Sequence, residues 1–94
     1  MDVLVYNKIK DPALKQGILD ALCTIADPTF STPDLLLLNN KILEDVVKHL
    51  QGFLHQKELS NEDIIYIFYT KSTGFGMWPL KREGRKRITK ITSL

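Results

Sequence analysis

Apolar positions follow two different rhythms along this chain, and each predicts a different kind of element. Val3, Leu4, Val5, Tyr6 and Ile9 crowd the first nine residues with β-branched and aromatic bulk, which predicts a short strand over residues 1–9. Leu14, Ile18, Ala21 or Leu22, and Ile25 then recur every three or four residues, the stripe of a helix. Asp11 offers an N-cap oxygen to that helix, and Pro12 suits its first position, where no N–H is needed. Asp27-Pro28 closes it near Ala26, because the residue before a proline resists the helical region.

Phe30 lies in a short irregular or extended link. Ser31-Thr32-Pro33-Asp34 then reads as a second helix start, with Ser31 or Thr32 as cap and Asp34 complementing the positive end of the dipole. Leu35 to Leu38 continue that helix as far as Asn39-Asn40. Beyond it Ile42, Val46, Val47, Leu50, Phe53 and Leu54 carry the strongest helical periodicity in the chain. Two readings stay open for this stretch. Leu35, Leu38, Ile42, Val46 and Leu50 stay in phase, as in one helix over 33–54, whereas the paired asparagines followed by Glu44 and Asp45 favour a break. The break is preferred.

Ile64 to Thr70 is the clearest strand, although Ser60 and Asp63 would also serve as a capping box. Lys71 to Gly74 is a turn cluster, Phe75 to Pro79 an aromatic loop, Glu83-Gly84 a further turn, and Arg85 to Thr92 a terminal strand. The expected fold is α+β, two or three helices packed on a small antiparallel sheet.

Strand, helix, link, short helix, turn, longer helix and β-hairpin, in that order, resemble a winged helix-turn-helix domain over Pro12 to about Thr92. In that resemblance Thr32 to Leu38 is the positioning helix, Asn39-Asn40 the turn, and Lys41 to Leu54 the recognition helix. Ile64 to Thr70 and the stretch after Gly74 form the wing. The resemblance implies DNA binding, by the helix in the major groove and by the wing on phosphate.

At 94 residues, 44% hydrophobic and 26% charged, the chain is expected to form one domain over 1–94; disorder, collagen and a disulfide scaffold are excluded. No apolar run approaches the roughly 18 residues of a membrane span, so no membrane partner is expected. A lone Cys23 and a start without a basic flank fit an intracellular protein, cytoplasmic or nuclear.

Charge divides unevenly. Residues 1–80 carry seven lysines against ten acids, while 81–94 carry Lys81, Arg82, Arg85, Lys86, Arg87 and Lys90 against Glu83 alone. Guanidinium groups grip phosphate bidentately, and the Lys81-Arg82 and Arg85-Lys86-Arg87 clusters also fit a nuclear-import address. Phe75 and Trp78 precede them and are candidates for stacking on bases. These eight residues are the candidate nucleic-acid interface. The alternative is a protein-interaction adaptor, a homodimer formed through Pro33 to Leu54, whose basic tail docks an acidic partner surface. Tyr66, Phe68 and Tyr69 alternate, so at least one of these aromatics faces outward. No catalytic set, metal site or cofactor is expected: His49 and His55 are six apart, off the zinc-pair spacing, and Cys23 has no base assigned to it.

Overall fold

The computed structural model describes residues 2–55 and 57–85, so Lys86, Arg87, Lys90 and most of the expected terminal strand lie outside the described residues. Seven elements follow one another: β1 (Asp2–Lys8), α1 (Pro12–Cys23), β2 (Phe30–Ser31), β3 (Leu35–Asn39), α2 (Leu43–Leu54), β4 (Ile64–Lys71) and β5 (Gly74–Lys81). The strands form one sheet in the order β2-β3-β1-β4-β5, antiparallel at every pairing. The class is therefore α+β. The connectivity β1-α1-β2-β3-α2-β4, with β3 between β1 and β2, is the split β-α-β arrangement of ferredoxin-like domains, extended here by β5. That architecture hosts many unrelated functions and names none.

Local signals explain both helices. Asp11 accepts a hydrogen bond from the Ala13 amide at 3.0 Å, and Pro12 opens α1 as expected. The helix ends at Cys23 rather than near Ala26, because Thr24 turns back: its amide donates to the Ala21 carbonyl at 3.3 Å and its hydroxyl donates to the same oxygen at 2.6 Å. His49 of α2 places Nε2 2.7 Å from that carbonyl, tying the end of α1 to its neighbour. Glu44 and Asp45 lie in the first turn of α2, where the dipole favours acids. Gly17 of α1 faces the Phe53 ring so closely that a Cβ there would lie 2.7 Å from Cζ.

The expected helix over 33–38 is instead strand β3. Four consecutive leucines cannot share one helical stripe, but on a strand they divide evenly between two faces. Leu36 and Leu38, 1% and 0% exposed, pair with Val5 and Val3 and join the core; Leu35 and Leu37 face the other way. Ser31 to Asp34, read as a helix start, makes the β2–β3 turn. The Thr32 amide donates to the Leu35 carbonyl at 2.8 Å, and the Leu35 amide donates to Thr32 Oγ1 at 2.9 Å. The helix-turn-helix pair drawn for 32–54 is therefore not formed. Asn40 has φ +57°, in the left-handed region asparagine tolerates, and it separates β3 from α2.

Both helices lie on one face of the sheet. Ile18 and Leu22 of α1, and Val46, Val47, Leu50 and Leu54 of α2, pack against Val3, Val5, Ile65, Ile67 and Leu80. Each such fully buried side chain contributes about 1.5–3 kcal/mol. Ser60 and Asp63 cap a turn into β4 rather than a helix. The Asp63 carboxylate accepts the amides of Ser60 at 2.8 Å and Lys10 at 3.0 Å.

Candidate binding surface

Strand alternation sorts the sheet residues into two sets, and the helices cover only one. On the uncovered face β1 presents Leu4 and Tyr6, opposite Leu37 and Leu35 of β3 on one side and Phe68 and Tyr66 of β4 on the other. Ile64 of β4 lies beside Lys8, and Met77 and Pro79 of β5 pair with Phe68 and Tyr66. Phe75 pairs with Thr70 at one corner, and Phe30 of β2 with Leu37 at the opposite edge. Phe75, Phe30 and Met77 are 76%, 52% and 46% exposed, and the remaining apolar members of the face are half-buried. Leu4, Leu37, Phe68, Thr70 and Phe75 line a groove of about 410 Å³ near Asp2. Asp2 and Thr70 border this field at one end and Lys8 at the other; among the described residues the area between them holds no charged side chain.

The sequence-expected interface is dispersed by the same geometry. Phe75 and Trp78 do not share a loop: both belong to β5, on opposite faces. Trp78 pairs with Ile67 and packs against the core, with its Nε1 buried and without a hydrogen-bond partner. Its neighbour Gly76 sits under Tyr69, where a Cβ would lie 2.6 Å from the ring. Lys81 is fully buried, and its ammonium donates to the carbonyls of Asp63 and Arg82, each at 2.8 Å. Burial pushes its pKa down, opposed by the charges of Asp63 and Glu83. Lys81 thus secures the turn before β4 and is withdrawn from solvent.

Arg82 and Arg85 are exposed on a turn closed by the Arg85 amide donating to the Arg82 carbonyl at 3.3 Å. Roughly 23 Å of strand, at about 3.3 Å per residue, separates that turn from Phe75. Acids accompany it, since Glu62 and Glu83 line the same hollow as Lys8 and Lys10. Lys10 pairs with Glu62 at 2.5 Å, an attraction that raises the lysine pKa and lowers that of the carboxylate. Lys48 pairs with Glu44 at 2.6 Å and Lys15 with Asp34. Among the described residues the cations therefore do not gather beside the exposed aromatics.

No three His, Cys, Asp or Glu side chains among the described residues could hold one metal ion, and no helix among them is long and apolar enough to cross a membrane. The residues sequence reasoning left unassigned are those of the open face outside Pro33 to Leu54, above all Leu4, Tyr6 and Met77. Their signal is the lack of alternation in Val3-Leu4-Val5-Tyr6, in Leu35 to Leu38 and in Ile64 to Tyr69. A strand with one wetted face alternates apolar and polar residues, while one buried on both faces reads as a continuous apolar run. Comparison with protein-family models, curated proteins and solved structures finds no match to the chain.

Proposed function

We propose that this chain is a non-enzymatic protein-docking module whose working surface is the open face of its sheet. One observation carries the reading. Among the described residues three strands are patterned for burial on both sides, yet the two helices cover one side only. The chemistry of the face favours protein over nucleic acid. Leu4, Leu35, Leu37, Ile64, Met77 and Pro79 are aliphatic or sulfur-bearing, and among the described residues the positive charge at the rim near them is that of Lys8 and of Lys10, which Glu62 pairs. A strand-binding platform combines aromatic stacking with a cationic groove along the backbone. Here Tyr6, Tyr66 and Phe68 supply rings, and the described residues form no such groove beside them.

The test is a titration of the full chain against fluorescent single-stranded and duplex DNA and RNA at about 50 mM salt, where phosphate contacts are strongest. The expected result is no saturable binding. Saturable binding that disappears in Tyr6→Ala and Tyr66→Ala would overturn the proposal and make the face a base-stacking platform. Saturable binding lost in Arg82→Ala and Arg85→Ala would move the working surface to the β5 turn.

A further inference from the structure

We infer that the partner docked on the open sheet face is a second copy of this chain, giving a two-fold dimer in which two sheets pack face to face with helices outside. This rests on the docking reading and names its occupant.

Area is the first argument. At 52%, 76% and 46% exposure, Phe30, Phe75 and Met77 leave about 350 Å² in water if a large side chain offers about 200 Å². With their half-buried neighbours the apolar field reaches roughly 600–700 Å², above the roughly 300–600 Å² of a typical monomer's largest patch. A standard interface buries about 800 Å² per partner, so the face matches one side of a stable dimer. Its composition, an uncharged centre rich in Phe, Tyr and Met, is that of an interface core.

Self-complementarity is the second. A two-fold interface brings the same patch together with itself, so each feature must find its counterpart on the same face. β1 is the central strand of five, with Asp2 at one end of its open-face row and Lys8 at the other. Apposition with the two central strands antiparallel sets Asp2 of each copy opposite Lys8 of the other. A parallel apposition would set Asp2 against Asp2. With Lys10 and Glu62 already paired to each other and Glu83 at the edge of the hollow beside Lys8, the charges of the β1 row favour the antiparallel arrangement, and the apolar field between them supplies the affinity. Two sheets stacked in this way lie about 10 Å apart, the spacing of a β-sandwich core.

Sedimentation equilibrium of the full chain, from about 1 to 200 µM to bracket micromolar affinity, reads the state directly. The expected mass at the upper end is twice the 10.8 kDa of one copy. Phe75→Glu, at a corner already in water, should weaken association at least tenfold while leaving the far-UV circular dichroism unchanged. Lys8→Glu and Asp2→Lys each break two symmetry-related pairs and should weaken it about four- to twenty-fivefold, at about two- to fivefold per exposed pair. The double variant Asp2→Lys/Lys8→Glu should recover the wild-type value. A wild-type chain that stays single throughout overturns the inference and leaves the docking reading to another protein. A dimer indifferent to both Phe75→Glu and Leu37→Glu overturns the inference and the choice of face together. Failure of the double variant to recover overturns the antiparallel apposition.

Discussion

Truncating Leu35, Leu36, Leu37 and Leu38 to alanine one at a time should produce an alternating stability profile, because these four neighbours occupy opposite faces of β3. Leu36 and Leu38 are 1% and 0% exposed, in contact with a core that both helices close. Deleting such a buried leucine costs about 2–5 kcal/mol, the lost transfer energy plus the cavity left behind. About 3 kcal/mol is expected at each. Leu35 and Leu37 are half-buried on the open face, so their truncation opens no enclosed cavity. With about two-thirds or more of its surface covered, each should lose about 1–2 kcal/mol on truncation, at about 0.8 kcal/mol per buried CH₂ and with no cavity cost. For a domain of this size 1 kcal/mol moves Tm by about 4–8 °C, so the two classes should differ by about 4–16 °C. Urea unfolding followed by fluorescence of Trp78, the protein's only tryptophan, reports the transition. It should be run near 1 µM, below the concentrations at which association would contribute. Large losses at Leu35 and Leu38 with small ones at Leu36 and Leu37 would be the helical pattern, and would refute the strand.

Three further outcomes follow from named contacts. Gly17→Ala should destabilise despite its better helix propensity, since its Cβ would meet the Phe53 ring at 2.7 Å; in a Phe53→Ala background the same change should stabilise by up to about 1 kcal/mol, which a double-mutant cycle measures. Lys81→Ala should cost about 2–4 kcal/mol in denaturant unfolding, because the carbonyls of Asp63 and Arg82 lose a buried donor. The lysine pKa is lowered in the fold, so between its folded value and the ordinary 10.5 the unfolded chain binds more protons and stability rises with pH. The wild-type advantage over Lys81→Met should therefore be smallest at neutral pH and grow toward pH 10.5 in paired unfolding curves. Asp63→Ala should cost about 1–3 kcal/mol, since the amides of Lys10 and Ser60 both lose their acceptor.

How far the sequence could be read depended on whether a local signal had a competitor. The Asp11-Pro12 start and the Ile42 to Leu54 periodicity had none, and α1 and α2 form where expected. Leu35 to Leu38 fits either period, and Ser31 to Asp34 serves a hairpin turn as well as a helix start. Pairing with β1, about thirty residues away, decided between them. Phe75 to Pro79 looked like a loop because of Gly74, Gly76 and Pro79. All three fit an edge strand: Gly74 at the turn, Gly76 under Tyr69, and Pro79 beside a bulge. Lys81 is indistinguishable by composition from the exposed Arg82 and Arg85 after it; only the turn of Ser60 to Asp63 folding over it makes it a buried anchor. The open face was half legible, in the alternation of Tyr66, Phe68 and Tyr69. It became a surface only once the topology showed which side the helices take.

Hydroxyl-radical footprinting across a dilution series tests the covered second face most directly. Phe75 and Met77 should react freely in dilute protein and become several-fold shielded as concentration rises, while Ile42, 58% exposed at the start of α2, keeps a constant rate. Phe75 and Met77 reacting at one rate throughout the series, or losing reactivity only in step with Ile42, would contradict the account.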